Sequence, residues 1–157
     1  MTAFELRPVQ PDDEPFLERL YTSTRLLELE PVPWTEDQKL AFLVQQYRAQ
    51  DSAYRASYPQ ASFSVVTAAG RPIGRLYTSR LGSEELRIID IALLPDHRNA
   101  GIGTALIRDV MRTADRDRLT ISLHVEHWNP ALALYERLGF VRAGENEVHV
   151  RMERPPS

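Results

Sequence analysis

The chain contains no cysteine in its 157 residues. That excludes disulfides, thiolate metal centres and a cysteine nucleophile, and it suits the reducing cytosol. Long apolar runs are missing as well: no segment approaches bilayer-spanning length, and Met1-Thr-Ala-Phe-Glu-Leu-Arg7 carries no leader-like stretch. Basic charge is not in excess either. With 19 Lys and Arg against 22 Asp and Glu, the net charge of −3 argues against a nucleic-acid or membrane-surface partner. Four scattered histidines show no metal-ligand spacing, so no metal is expected. These absences describe a soluble, cytoplasmic protein, and residues 1–157 suffice for one domain with a sizeable core.

The residues that are present punctuate themselves clearly. Phe4 to Pro8 reads as a short strand, and Pro11-Asp-Asp-Glu-Pro15 as a helix start with acidic residues in its first turn. Phe16, Leu17, Leu20, Tyr21 and Leu27 continue a helical stripe until Glu30-Pro-Val-Pro33 breaks it. Thr35-Glu-Asp-Gln38 fits a capping box, opening a second helix with Leu40, Leu43, Val44, Tyr47 and Tyr54 on one face. Strand patterns follow over 61–68, 73–79 and 86–94, separated by glycine turns. A helix over 101–114 precedes the alternating strand Leu119 to Val125. Asn129-Pro130 then starts a helix that Gly139 ends, before two last strands at 140–143 and 148–152. The order β-α-α-β-β-β-α-β-α-β-β predicts an α/β fold with a mixed sheet of about seven strands and helices on both faces.

The most informative stretch is Ile91-Ala-Leu-Leu-Pro-Asp-His-Arg98-Asn-Ala-Gly101-Ile-Gly103-Thr104, an apolar strand turning into an amphipathic helix through Arg-x-x-Gly-x-Gly. Free amides at a helix start, two positions without a Cβ and a nearby arginine suit a polyphosphate. The dinucleotide motif requires a third glycine after the first strand of a βαβ unit, and this loop has neither that glycine nor that position. No Gly-Lys-Ser/Thr follows, so it is not a P-loop.

Leu93 to Ile107 resembles the acyl-CoA pyrophosphate motif of the GNAT superfamily of N-acetyltransferases. Asn129-Pro-Ala-Leu-Ala-Leu-Tyr135-Glu-Arg-Leu-Gly139-Phe140 is similar to the superfamily's second signature, Asn-x-A-x-x-L-Y-E-x-x-G-F. Two motifs in this order are far more specific than either alone. The resemblance implies a mostly antiparallel GNAT-like twisted sheet and acetyl-CoA as co-substrate. It implies transfer to a primary amine of a small molecule or peptide, without a covalent enzyme intermediate, and it makes a homodimer the expectation. A non-catalytic CoA-binding module on the same fold is the alternative. By the same resemblance, Arg98 and the amides of Asn99, Ala100, Gly101, Ile102, Gly103 and Thr104 take the pyrophosphate. The backbone of Ile91, Ala92 and Leu93 pairs with pantetheine and polarises the thioester carbonyl, while Tyr135 protonates the departing sulfur. Asn99 stands where glycine is common, and asparagine tolerates left-handed backbone. Asn129 is foremost a helix cap, with a CoA contact secondary to that.

The proton acceptor is open at this stage. Asp90 interrupts an apolar strand, so its carboxylate is either a base or a buried hydrogen-bonding group. His124 and Glu126 share the polar face of the next strand and could serve as well. For the acceptor, Trp34, Tyr54 and Tyr77, with His124 and Glu126, are candidate lining residues. Tyr47, Tyr58 and the pair Arg75 and Arg80 flank the same region, and two arginines there would suit an acceptor carboxylate.

Overall fold

The computed structural model describes residues 3–157; Met1 and Thr2, the start of the stretch searched for a leader, lie outside them. The first strand, β1 (Glu5–Pro8), leads through a 3-10 turn into α1 (Glu14–Arg25). Arg7 and Asp13 tie this entrance together, each guanidinium nitrogen donating to one carboxylate oxygen at 2.8 Å. α2 (Glu36–Ser57) begins at the expected cap: Gln38 N–H donates to Thr35 Oγ1 at 3.1 Å, and Thr35 N–H to Gln38 Oε1 at 2.9 Å. Then come β2 (Ser62–Ala68), β3 (Arg71–Leu81), β4 (Glu85–Leu93), α3 (Ile102–Arg116) and β5 (Thr120–Glu126). The chain finishes with α4 (Ala131–Arg137), β6 (Val141–Glu145) and β7 (His149–Arg154).

The seven strands form one sheet in the order β1-β2-β3-β4-β5-β7-β6, antiparallel except for β4 with β5. The expected element order and mixed sheet are therefore present. Two hydrophobic cores flank the sheet: α3 and α4 cover one face, with Leu106, Ile107 and Tyr135 among the buried residues, and α1 and α2 cover the other through Leu17, Leu20, Leu43 and Tyr47. No helix of the described residues is long and apolar enough to cross a membrane.

Two residues of the expected stripes face water. Leu27 is 79% exposed because α1 has already given way to a 3-10 turn, Leu26–Leu29, which rotates the stripe away from the sheet. Leu40 is 41% exposed while Lys39 is buried. The rotation of α2 is set further along, where its inward side chains are polar: Gln50, Tyr54 and Tyr58 bond to Arg75, Asp90 and Arg87 on the strands. Lys39 can follow that face because its methylene stem is apolar.

β4 carries an irregularity that matters for everything below. Tyr77 faces Asp90 across the ladder, but Thr78 faces Ile88, so Ile89 is an extra residue, a β-bulge. A one-residue insertion inverts the side-chain alternation. Leu86 and Ile88 belong to the α3 core before the bulge, and Ile91 and Leu93 belong to it afterwards. Asp90 and Ala92 are thereby turned toward α1 and α2.

Candidate active site

The parallel pairing of β4 with β5 covers only Glu85–Arg87 against Thr120–Ser122 among the described residues. Beyond it the strands diverge, opening a wedge toward their carboxyl ends, the usual ligand side of an open α/β sheet. The β5-facing backbone from Ile88 to Leu93 is thus left for an extended chain to pair with, as an added strand would. Ile91, Ala92 and Leu93 lie on this edge.

At the end of the wedge the chain makes the turn into α3. Asn99 has φ +60° and Gly101 φ +82°, both left-handed, as the sequence required of this loop. Gly101 is the N-cap of α3, and the first turn, with Ile102, Gly103 and Thr104, contains no acidic residue to neutralise the free amides. Ala100 and Gly101 are exposed. Arg98 donates from Nε to the Leu93 carbonyl at 3.0 Å, so it braces the end of β4 with part of the guanidinium expected at the pyrophosphate. Gly103 is informative in another way. A Cβ there would meet only Leu93 Cδ1 at 3.9 Å, an ordinary contact, so no protein neighbour demands glycine inside this helix. A helix pays for glycine with up to about 1 kcal/mol. Open space over a helix start without acidic residues fits a pyrophosphate held close to the backbone.

Tyr135, on α4, lies near Asp90 of β4 and Glu126 of β5, on the open side of the wedge. It is 5% exposed and its ring packs on Phe140 at 5.5 Å between centroids. Burial, reinforced by the charges of Asp90 and Glu126, pushes its phenol well above the ordinary tyrosine range, so the group is protonated at neutral pH. The same coupling shows that residues from α4, β4 and β5 converge here. Among the described residues none hydrogen-bonds the Tyr135 hydroxyl.

Other expected residues have prior commitments. Asp90 Oδ2 accepts from Arg75 Nη2 at 2.7 Å and from the Tyr54 hydroxyl at 2.9 Å, so the carboxylate is already engaged in an ion pair. Arg75 is 3% exposed and also donates to Gln50 Oε1 at 2.7 Å, so it is not the free partner for an acceptor carboxylate that the sequence suggested. Arg80 is paired with Asp117. Tyr77 is fully buried between Phe63 and Tyr54, which removes it from any acceptor surface. Asn129 spends both side-chain groups internally, Nδ2 donating to Glu126 at 3.0 Å and Oδ1 accepting from Ala131 N–H at 2.9 Å. It is a cap and a brace.

Glu126 stays beside Tyr135. Burial raises its pKa, but the Asn129 hydrogen bond, with Arg25 and His149 nearby, outweighs that and holds it below the usual carboxylate range. His124 is exposed on β5, edge-on to His149 at 6.5 Å between centroids. Partial desolvation of its ring, then the positive charges of Arg87 and Arg151, lower its pKa, which favours the neutral ring. Trp34 is 42% exposed and packs edge-on against Phe42 at the start of α2. Gly74 and Gln50 were not among the expected site residues. Gly74 carries a readable signal, a glycine inside a strand, which often marks close backbone approach; Gln50 carries none.

Solved structures share this fold. The PaiA N-acetyltransferase of Thermoplasma acidophilum, solved in complex with coenzyme A, matches 98% of this chain and 99% of its own with TM-score 0.74 at 15% identity. Ard1 from Thermoplasma volcanium matches 99% of both chains with TM-score 0.69 at 21% identity. The ribosomal-protein-S18-alanine N-acetyltransferase from Escherichia coli matches 99% of this chain and 95% of its own with TM-score 0.66 at 21% identity. No curated protein sequence gives a significant match. The family model for the Acetyltransferase (GNAT) family matches residues 19–140, and the chain belongs to that family.

Proposed function

We propose that this protein transfers an acetyl group from acetyl-CoA to a primary amine of a small molecule or peptide, directly within a ternary complex. The observation that carries the reading is the wedge between β4 and β5, with the α3 amides beyond the end of β4 and a protonated Tyr135 beside Asp90 and Glu126. In this reading the pyrophosphate lies on the first turn of α3 and the pantetheine arm runs along Ile91–Leu93. The amine nitrogen attacks the thioester carbonyl carbon, the C–S bond breaks, and Tyr135 gives its phenolic proton to the departing sulfur. Of the two carboxylates beside Tyr135, Glu126 is the one not committed to a buried arginine, and it receives the proton the amine loses. Electrostatic support for the developing oxyanion comes from a backbone amide of the Ile91–Leu93 segment.

Direct measurement tests this. Acetyl-CoA is expected to raise the melting temperature where ATP and NAD do not, and CoA is expected to be released with a member of a panel of polyamines, amino acids and peptides. Equal stabilisation by ATP would sink the assignment of the donor. Tight acetyl-CoA binding with silence across the panel would favour a binding module.

Gly103→Ala separates stability from binding. The ligand-free variant is expected to be as stable as the parent or up to about 1 kcal/mol more stable, because alanine favours helix and the Cβ meets only Leu93 at 3.9 Å. Acetyl-CoA affinity is expected to fall about tenfold by calorimetry, since the added methyl stands where the pyrophosphate approaches. Unaltered affinity would move the phosphate away from Gly103.

A further inference from the structure

Asp90 is fixed by more than a site for amine deprotonation requires. One guanidinium nitrogen of Arg75 ties three elements together, donating at 2.7 Å both to Asp90 on β4 and to Gln50 on α2. Tyr54, one helical turn beyond Gln50, donates to the same Asp90 oxygen at 2.9 Å. The Arg75 guanidinium also sits 4.9 Å from the centre of the Tyr77 ring, and its backbone is paired with Ala92 in the ladder. Its side chain reaches back to Asp90 from there. Arg75 therefore holds the segment at two points, through the ladder at Ala92 and through its side chain at Asp90.

Stability alone does not explain such a pair. The two side chains are 4% and 17% exposed, and a buried ion pair is often matched or bettered by apolar residues of the same volume. Among the described residues, Arg75 Nε, Asp51 Oδ1 and the Tyr77 hydroxyl are buried without a hydrogen-bond partner, a further cost to the fold. What the pair does achieve is to fix a bulged strand. Ile89 breaks the ladder, and the residue after it must be held if Ile91–Leu93 are to keep one position against a ligand.

We propose that Arg75 is a positioning residue for acyl transfer: by clamping Asp90 to α2 and β3 it fixes the backbone of Ile91–Leu93 against the thioester carbonyl. Asp90 is the anchor of that clamp. The proposal rests on the reading that acetyl-CoA occupies the wedge. Its test uses the carbonyl itself, so no acceptor need be known. Isotope-edited infrared spectra of acetyl-CoA labelled with 13C at the carbonyl are recorded free and bound to the full chain. Calorimetry supplies the affinity.

The parent is expected to shift the thioester band to lower frequency, as a carbonyl accepting an oriented amide does. The double variant Arg75→Met with Asp90→Leu removes both charges together, so it leaves no unpaired buried ion. It is expected to bind acetyl-CoA within about threefold of the parent while its band returns most of the way to the free value. Asp90→Asn, which can still accept from Arg75 and Tyr54, is expected to fall between the two and serves in its place should the double variant not fold. With any panel amine that gives turnover, kcat should fall about tenfold or more in the double variant, with the shape of its pH profile unmoved. A folded, binding variant whose band stays at the parent position makes the pair merely structural and overturns the proposal. So does loss of the acid limb of the pH profile, which would make Asp90 a base. A parent chain that does not bind acetyl-CoA would bring down the donor reading itself, and this proposal with it.

Discussion

Gly74→Ala is expected to lower the melting temperature by roughly 6–12 °C, the equivalent of about 3 kcal/mol in a domain of this size. Gly74 is buried on β3, opposite Leu93 at the end of β4. A Cβ built on it would stand 2.3 Å from the Ala92 carbonyl oxygen, 2.7 Å from Leu93 Cδ2 and 3.2 Å from Leu93 Cα. Two of those three atoms are backbone, so no rotamer change relieves the clash; the strands must separate. Replacing glycine also narrows the unfolded ensemble, a gain of about 0.4–1 kcal/mol, too small to offset it. The damage should not stop at stability, because the strand end pushed aside is the segment proposed to meet pantetheine. Thermal unfolding and calorimetry with acetyl-CoA check both parts. A variant as stable as the parent would show that β4 yields freely at Ala92, and the wedge would then be far softer than argued above.

Tyr135→Phe is expected to lower kcat about 100-fold at saturating acceptor while leaving acetyl-CoA affinity within about twofold. The ring is retained, so its contact with Phe140 and the α4 core survive; only the hydroxyl is lost. The sign of the pH effect follows from the direction of the pKa. Burial and two neighbouring carboxylates raise the phenol's pKa, so the protonated, competent form persists well into alkaline solution. Parent turnover should therefore show no loss through this group as pH rises from 7 to about 9. Unchanged turnover in the variant would remove Tyr135 as the acid.

The two sites differ in how far the sequence announces them. Tyr135 stands inside a recognisable segment, six residues after a helix cap and four before Gly139, and the structure buries it at the mouth of the wedge. The loop from Arg98 to Thr104 was equally legible, because left-handed backbone and free helix amides are local properties, fixed by Asn99, Gly101 and the helix that follows. The order of elements along the chain and the cap at Thr35 follow from similarly local patterns.

Asp90 shows the opposite case. A carboxylate in the apolar run 88–94 reads equally well as a base or as a structural group, since sequence offers no way to know its partner. Two distant decisions choose between these readings. The extra residue Ile89 turns Asp90 from the α3 side toward α2, and the rotation of α2 brings Tyr54 and Gln50 over Arg75. Neither leaves a periodic mark: a bulge inside a continuous apolar run does not disturb the pattern, and a stripe of Leu40, Leu43, Val44, Tyr47 and Tyr54 does not show that polar partners set the rotation of α2. Leu40 consequently faces water while polar side chains set the register of the helix.

By itself, then, the sequence determined the elements, their order along the chain and the left-handed turn into α3, all of which depend on contacts within a few residues. Only the tertiary structure decided which carboxylate is tied to a buried arginine and which is held by an asparagine instead. It also decided where β4 leaves β5 to open the wedge. Those outcomes depend on a single inserted residue and on pairings across 15 to 36 positions of chain, where the energy lies in partners that local pattern cannot name.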